Sequence, residues 1–420
     1  MTDRTAALDD AVPPRAPPPP DPAREAPAAD GPAAAPSTLV TAAVLVVSSL
    51  TIMANATIAP SLPGLADHFG GTPETVALAA LALSLPSLSI VVSASAFGWL
   101  ADRVDPLRVL LAALVLYALA GASGALAPSI GALLAGRLLL GVGVAGTMTV
   151  ATMLAGSLWA GAARERFMGR QFAATSIAGV MILLGGGFLA ELDWRAPFAV
   201  YLAALPVAAF AWVALRGAMP ARGSGAGRPA PSAFPWRAFS GIGALALFTM
   251  MMFYLVPTSL PFHLGEIGIG APSAAGIAIA AVTLAGIPGA LAFGRIRARL
   301  APLTIMAVSF ALIGAGFAAI AAAGSLGGAI VGTLLVGAGL GPAFPNLTSW
   351  LMASVAPDAR GRVSGAFTVA VFGGQFLSPI VGSAVASRVG LAGTFWTFAA
   401  VLGVAAAGAF ALGRRRGGAA

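Results

Sequence analysis

The chain of 420 residues is 58% hydrophobic and only 9% charged, with a net charge of +8 and a mean hydropathy of +0.92. A soluble domain is nearer half apolar and a quarter charged, so this chain has too few charges to clothe a water-facing surface and needs lipid as its solvent. Zero Cys and two His exclude a disulfide scaffold and leave almost nothing for zinc, haem or iron–sulfur ligation, so no metal or cofactor is expected.

Residues 1–37 form a Pro/Ala-rich tail whose first 36 positions hold ten Pro, six acids and three Arg, the composition of a disordered segment. It lacks a basic stretch followed at once by a short apolar core, so no cleaved signal peptide is expected. From residue 38 onward, apolar stretches of about 20 residues recur, each long enough to cross a ~30 Å hydrocarbon core. They predict an all-α membrane protein with twelve transmembrane helices, at 38–60, 77–97, 108–127, 131–156, 168–190, 197–215, 241–262, 274–293, 303–322, 326–350, 364–386 and 392–412. Continuous runs, rather than ten-residue alternation, exclude a β-barrel. A linker rich in Gly, Pro and Arg at 216–240 divides the spans into bundles at 38–215 and 241–412, followed by a short tail at 413–420.

All 23 basic residues are Arg. With the amino terminus inside, seventeen of them fall in inner connections and the carboxyl tail, while the outer loops hold Arg195 and Arg388 only. This obeys the positive-inside rule. The basic excess is therefore a topological signal, with the bilayer and not nucleic acid as partner. A multi-pass protein of the inner cell membrane with both termini cytoplasmic is expected.

The two bundles share one register. Adding 196 carries Gly98 and Arg103 onto Gly294 and Arg299, Gly141 and Gly143 onto Gly337 and Gly339, and Arg164 and Arg166 onto Arg360 and Arg362. An even number of spans separates equivalents, so the repeats are parallel, related by an axis along the membrane normal. Such repeats leave a seam where a central cavity can open to either side.

Residues 98–108, GWLADRVDPLR, resemble the loop 2–3 signature of the major facilitator superfamily, Gly-x-Leu-x-Asp-Arg-x-Gly-Arg-Arg/Lys. Gly98, Leu100, Asp102 and Arg103 match, Arg108 supplies a later basic residue, and Asp105 replaces the second Gly. The resemblance implies a cytoplasmic latch in which Asp102 faces the positive end of a neighbouring helix, while Arg103 and Arg108 stay among headgroups or pair with acids. The second-half counterpart keeps Gly294 and Arg299 but has Ala298 for the acid. Residues 137–146, RLLLGVGVAG, resemble the span-4 motif of the same superfamily, with Arg137 and Gly141 in place. An arginine within a membrane helix faces protein or water; it either lines the cavity or bonds neighbouring carbonyls. In the superfamily's drug:proton antiporters a Gly-Pro pair precedes the paired glycines of span 5; here Ile182 and Leu183 stand there, ahead of Gly186 and Gly187. Spans 7 and 11 resemble bacterial drug- and metabolite-efflux members.

The nine acids outside the tail all lie near span ends. A carrier of cations often keeps a carboxylate at mid-depth, so neutral or amphiphilic cargo is expected. The candidate cargo contacts are Asn55, Arg137, Gln171, Tyr254, Asn346 and Gln375, each of which could instead bond a neighbouring helix; the gate and motif residues are Gly98, Asp102, Arg103, Arg108, Gly141, Arg360 and Arg362. The family resemblance implies a monomeric secondary transporter, exporting small amphiphilic or hydrophobic molecules and using protons as coupling ion. Export of sugars or amino acids is an alternative within the transport class, and a non-transporting receptor or scaffold one outside it.

Overall fold

A computed structural model describes residues 36–218, 234–356 and 359–417. The tail before residue 36, most of the linker and the last three residues lie outside that description. The described residues are helical throughout and contain no strand. In chain order they form α1 (Thr38–Ala56), a 3-10 turn (Ala59–Ser61), α2 (Leu62–His68), α3 (Pro73–Arg103), α4 (Pro106–Ala122), α5 (Ile130–Leu158) and α6 (Gly161–Leu192). A 3-10 segment (Ala196–Ala203) then runs into α7 (Ala204–Leu215), followed by α8 (Trp236–Glu266), α9 (Pro272–Leu291), α10 (Phe293–Arg299), α11 (Pro302–Ala321), α12 (Leu326–Ala353) and α13 (Arg360–Gly417).

Local chemistry starts these helices where lipid ends. Ser37, Thr72, Ser129 and Ser325 each accept a backbone N–H three residues on, and Pro73, Pro106, Pro272 and Pro302 occupy first-turn positions where no N–H is needed. Eleven helical segments are long and apolar enough to span a bilayer. The last of them, Arg360–Arg414, has 55 residues. At 1.5 Å per residue that is about 80 Å, more than twice a ~30 Å hydrocarbon core. Gly390, with φ 72 and ψ 176, breaks α13 into two limbs. The rods long enough to cross thus number twelve, as hydropathy predicts.

Two expected boundaries differ. Span 1 breaks at Ala56 and resumes as α2. The segment GWLADR, expected as a loop, forms the last turns of α3, because nothing in it interrupts a helix before Val104 and Pro106.

The register of 196 reappears in the packing. A Cβ on Gly141 would press on the Pro86 carbonyl of α3, and one on Gly337 on the Val282 carbonyl of α9, 196 residues later. Gly143 meets Ala113 and Tyr117 of α4, and Gly339 meets Ser309 and Ile313 of α11, again 196 on. Glycine here allows backbones to touch where lipid offers no hydrophobic drive to bring helices together. Around the outside, Leu119, Ile177, Phe188, Leu284 and Val404 are exposed, a girdle tolerable only against acyl chains.

The halves meet mainly through two helix pairs, α6 with α9 and α3 with α13, and α2, α3 and the 3-10 turn Ala59–Ser61 also touch α8. A Cβ on Gly276 would lie 2.6 Å from the Leu183 carbonyl, and one on Gly187 3.0 Å from Ser273 Cα. Those residues sit at the ends of α6 and α9 remote from the arginine-rich connections that hold Arg164, Arg166 and Arg295. The seam is therefore tight at the face opposite the arginines.

Candidate functional site

Between the halves, near the middle of the rods, lies a cavity of about 290 Å³. α1, α3, α5 and α6 line it from one side, and α8, α9 and the first limb of α13 from the other. It shares Ile52, Ser176, Phe253, Thr283 and Gln375 with a further cavity of about 690 Å³. That second space continues past Gly286, Phe344 and Thr348 to Ala290 and Met352, toward the arginine-rich ends of α9 and α12. Among the described residues, no charged side chain lines either cavity.

Three of the predicted contacts come together here: Asn55, Tyr254 and Gln375. The Asn55 side chain stands beside the Tyr254 hydroxyl, and its Oδ1 is buried without a hydrogen-bond partner in the described chain. Ser87 Oγ donates to Gln375 Oε1 at 2.9 Å, tying α3 to α13 across the seam, while Gln375 Nε2 has only the Met250 sulfur at 4.0 Å. The wall thus offers one open amide acceptor, one weakly held amide donor and an apolar surround of Ile52, Phe253 and Phe372. Gln171 lies in an adjoining hollow of about 340 Å³, its Nε2 donating to Ser48 Oγ at 2.8 Å.

Arg137 and Asn346 are placed elsewhere. Arg137 is 1% exposed and lines none of these spaces. Its Nε donates to the Ala82 carbonyl (2.9 Å), one terminal nitrogen to Tyr201 Oη (2.8 Å) and the other to the Ala54 carbonyl (2.7 Å). The reason lies in the helices. Residue 86, four after Ala82, is proline and has no N–H to give, and α1 ends at Ala56 with no backbone donor paired to Ala54. Arg137 supplies the donors that two helix interruptions remove. Tyr201 Oη also donates to Ala54 at 2.8 Å, and Tyr117 Oη to the Leu50 carbonyl at 2.8 Å. Asn346 is fully buried, with Nδ2 donating to the Pro302 carbonyl at 3.0 Å, so it joins α12 to α11.

The side chain of Asp102 lies outside the described residues. Arg103 is exposed and stacks on Trp99, 3.9 Å from the ring centroid. Arg108 pairs loosely with Asp105 at 3.8 Å, and Asp105 caps α4 by accepting the Leu107 N–H. Asp105 has negative φ, so the conformation here does not demand the glycine usual in the motif. Around Gly98 a Cβ would meet nothing, whereas Gly141 is packed. Arg360 is exposed in the first turn of α13, and Arg362 borders a hollow of about 600 Å³ with Ser95 and Phe234.

Sequence reasoning missed Tyr117, Tyr201 and Ser87. A signal for the tyrosines was present: the chain has three Tyr in all, and each is buried within or beside this site. Pro86 likewise announces a carbonyl that needs a donor.

Related halves around a central hollow define a polytopic transport protein. The Major Facilitator Superfamily profile matches residues 44–379, and the chain belongs to that family of membrane transporters. A bacterial homolog of the human lysosomal transporter Spinster, solved inward-facing and occupied, has a TM-score of 0.73 at 18% identity, covering 90% of this chain and 96% of that one. The nucleoside transporter NupG (D323A mutant) gives 0.74 at 13% identity over 89% and 99%. The human organic anion transporter MFSD10 gives 0.62 at 19% over 88% and 98%. No curated protein matches the chain in sequence.

Proposed function

We propose that this transporter exports small neutral molecules of amphiphilic or hydrophobic character, by alternating access and in exchange for protons. One observation carries the reading: the central cavity is walled by apolar side chains from both halves, with Asn55, Tyr254 and Gln375 as its polar points and no charge to hold a charged cargo. Uncharged amides orient a ligand in an apolar pocket at moderate desolvation cost. The arginine-rich face is cytoplasmic by charge asymmetry, in the inner membrane of the cell, with both termini on that side. The protein acts as a monomer of two six-helix bundles, 38–215 and 241–412, which rock about the cavity. The tight contact of Gly187 and Gly276 supports reading this as the state open to the cytoplasm. In the opposite state, the Gly98–Arg103 segment and the arginines at 360 and 362 close the cytoplasmic mouth, with Asp102 as latch.

The test is accumulation of Hoechst 33342, Nile red and similar neutral or weakly basic dyes in cells stripped of other pumps. Expression lowers accumulation, and a protonophore restores it. Equal accumulation with and without expression, across the panel, refutes the export reading. Asp102→Asn is expected to impair flux while the protein still inserts; normal turnover would remove the latch.

A further inference from the structure

Away from the central cavity, toward the face opposite the arginines, a hollow of about 740 Å³ opens between α3, α8 and α13. Glu74, Glu266, Thr258, Ser259, Ser383 and Ser387 contribute its polar lining, so it suits water. His263 stands one helical turn before Glu266 and is 2% exposed. Its Nε2 lies 3.0 Å from the Ile320 carbonyl of α11, and its Nδ1 lies 3.7 Å from Glu266 Oε2. The Phe395 ring, 5.7 Å away between centroids, covers the imidazole from the second limb of α13.

Both of its polar neighbours are acceptors. A carbonyl only accepts, so Nε2 carries a proton. An ionised carboxylate also only accepts, so a neutral ring would aim the Nδ1 lone pair at an anion. Nδ1 is buried with no hydrogen bond of its own, and the arrangement is satisfied only when that nitrogen, too, is protonated. The chain's other histidine has the opposite environment. Arg195 lies 3.1 Å from His68 Nε2, and a guanidinium only donates, so that nitrogen of His68 must accept.

We propose that His263 and Glu266 form a proton-binding site fed from this hollow, and that the proton held there is the one exchanged for cargo. The second clause rests on the proton-coupled export reading above; the first does not. A hydronium ion in the hollow gives its proton to the Glu266 carboxylate and leaves as water, and Glu266 passes the proton to the buried Nδ1 and is left ionised. Glu266, with its side chain 54% exposed, is the wet end of the pair. Few other charges bear on it. α9, α11 and α12 contain no titratable side chain. α3 brings Glu74 to the hollow's far wall, α13 carries the exposed Arg388 near the break between its limbs, and α2 carries Asp67 and His68 at its end.

The link to transport runs along α8. Tyr254 in the cavity and His263 at the hollow share this helix, with Pro257 and Pro261 between them. Each proline removes one ladder hydrogen bond, so the helix bends there more easily than elsewhere. A protonated His263 ties the end of α8 to the Ile320 carbonyl and to Glu266. Loss of the Nδ1 proton turns the Glu266 contact within the last turn of α8 repulsive and replaces a charge-assisted bond from Nε2 to the Ile320 carbonyl by a weaker neutral one, which loosens that end.

The experiment uses the full chain in lipid nanodiscs with ¹⁵N-labelled imidazoles. Two histidines give two sets of signals, assigned with His68→Asn. Between about pH 6 and pH 8, the range in which imidazoles change charge, His263 is expected to carry two ring protons at the acid end. Glu266→Gln should lose the second proton across the range. One proton on wild-type His263 throughout, or two irrespective of Glu266, overturns the site. In proteoliposomes, His263→Gln should collapse the ratio of pH-gradient-driven to equilibrium-exchange flux of Hoechst 33342; an unchanged ratio overturns its role in coupling. If the wild type moves no dye, the export reading fails, while the nitrogen spectra still decide the proton site.

Discussion

Arg137→Met separates a brace from a cargo contact. Methionine keeps much of the volume and the apolar stem but removes all three donated bonds, to Ala82, Tyr201 and Ala54. At the ~0.6 kcal/mol average measured for membrane-protein hydrogen bonds, three bonds account for roughly 2 kcal/mol. Ala54 keeps the Tyr201 hydroxyl as a donor, but Ala82 is left with none, because the residue four later is Pro86. An orphaned buried carbonyl adds about 1–3 kcal/mol, so a loss of about 3–5 kcal/mol in unfolding free energy is expected. Reversible unfolding in mixed micelles titrated with dodecyl sulfate reads it directly. Pro86→Ala should recover about 1 kcal/mol or more in the Arg137→Met background by returning an N–H to Ala82, yet bring no such gain to the wild type. The reasoning fails if Arg137→Met unfolds within about 0.5 kcal/mol of wild type and only transport is lost.

Substituting Ala for Gly141 or Gly337 drives a methyl into the Pro86 or Val282 carbonyl; each should cost about 1–3 kcal/mol in the same unfolding assay, whereas Gly98→Ala, with open space around it, should not. Gly276→Leu, whose Cβ would sit 2.6 Å from the Leu183 carbonyl, should hold the seam apart at the face opposite the arginines. A single cysteine at position 55, in a chain that has no native Cys, then becomes reachable by membrane-impermeant maleimide from that side; unchanged labelling would count against the seam. Gln375→Leu removes the Ser87 contact between halves and a polar point of the cavity, and is expected to raise the half-saturating dye concentration more than it lowers maximal flux. Equal loss in maximal flux with no change in half-saturation would place Gln375 outside the cargo site.

Much of the architecture is legible in the amino-acid order, since transfer into lipid is a property of each short stretch by itself. Apolar runs locate the crossings, arginine asymmetry orders the connections, and the 196-residue register of Gly141 and Gly337 returns as matching contacts with Pro86 and Val282. Asn55 and Asn346 show where that legibility stops. Both are amides in apolar helices with a buried, unpaired oxygen, yet one lines the cavity and the other lies away from it, its Nδ2 held by the Pro302 carbonyl. Arg137 shows it more sharply. A charge within a membrane helix announces a polar partner, but its partners stand 55, 64 and 83 positions away in sequence and become neighbours only when three other rods pack against α5. Hydropathy places a side chain at a depth; whether it meets cargo, carbonyl or lipid depends on which helices surround it there, and only tertiary packing decides that.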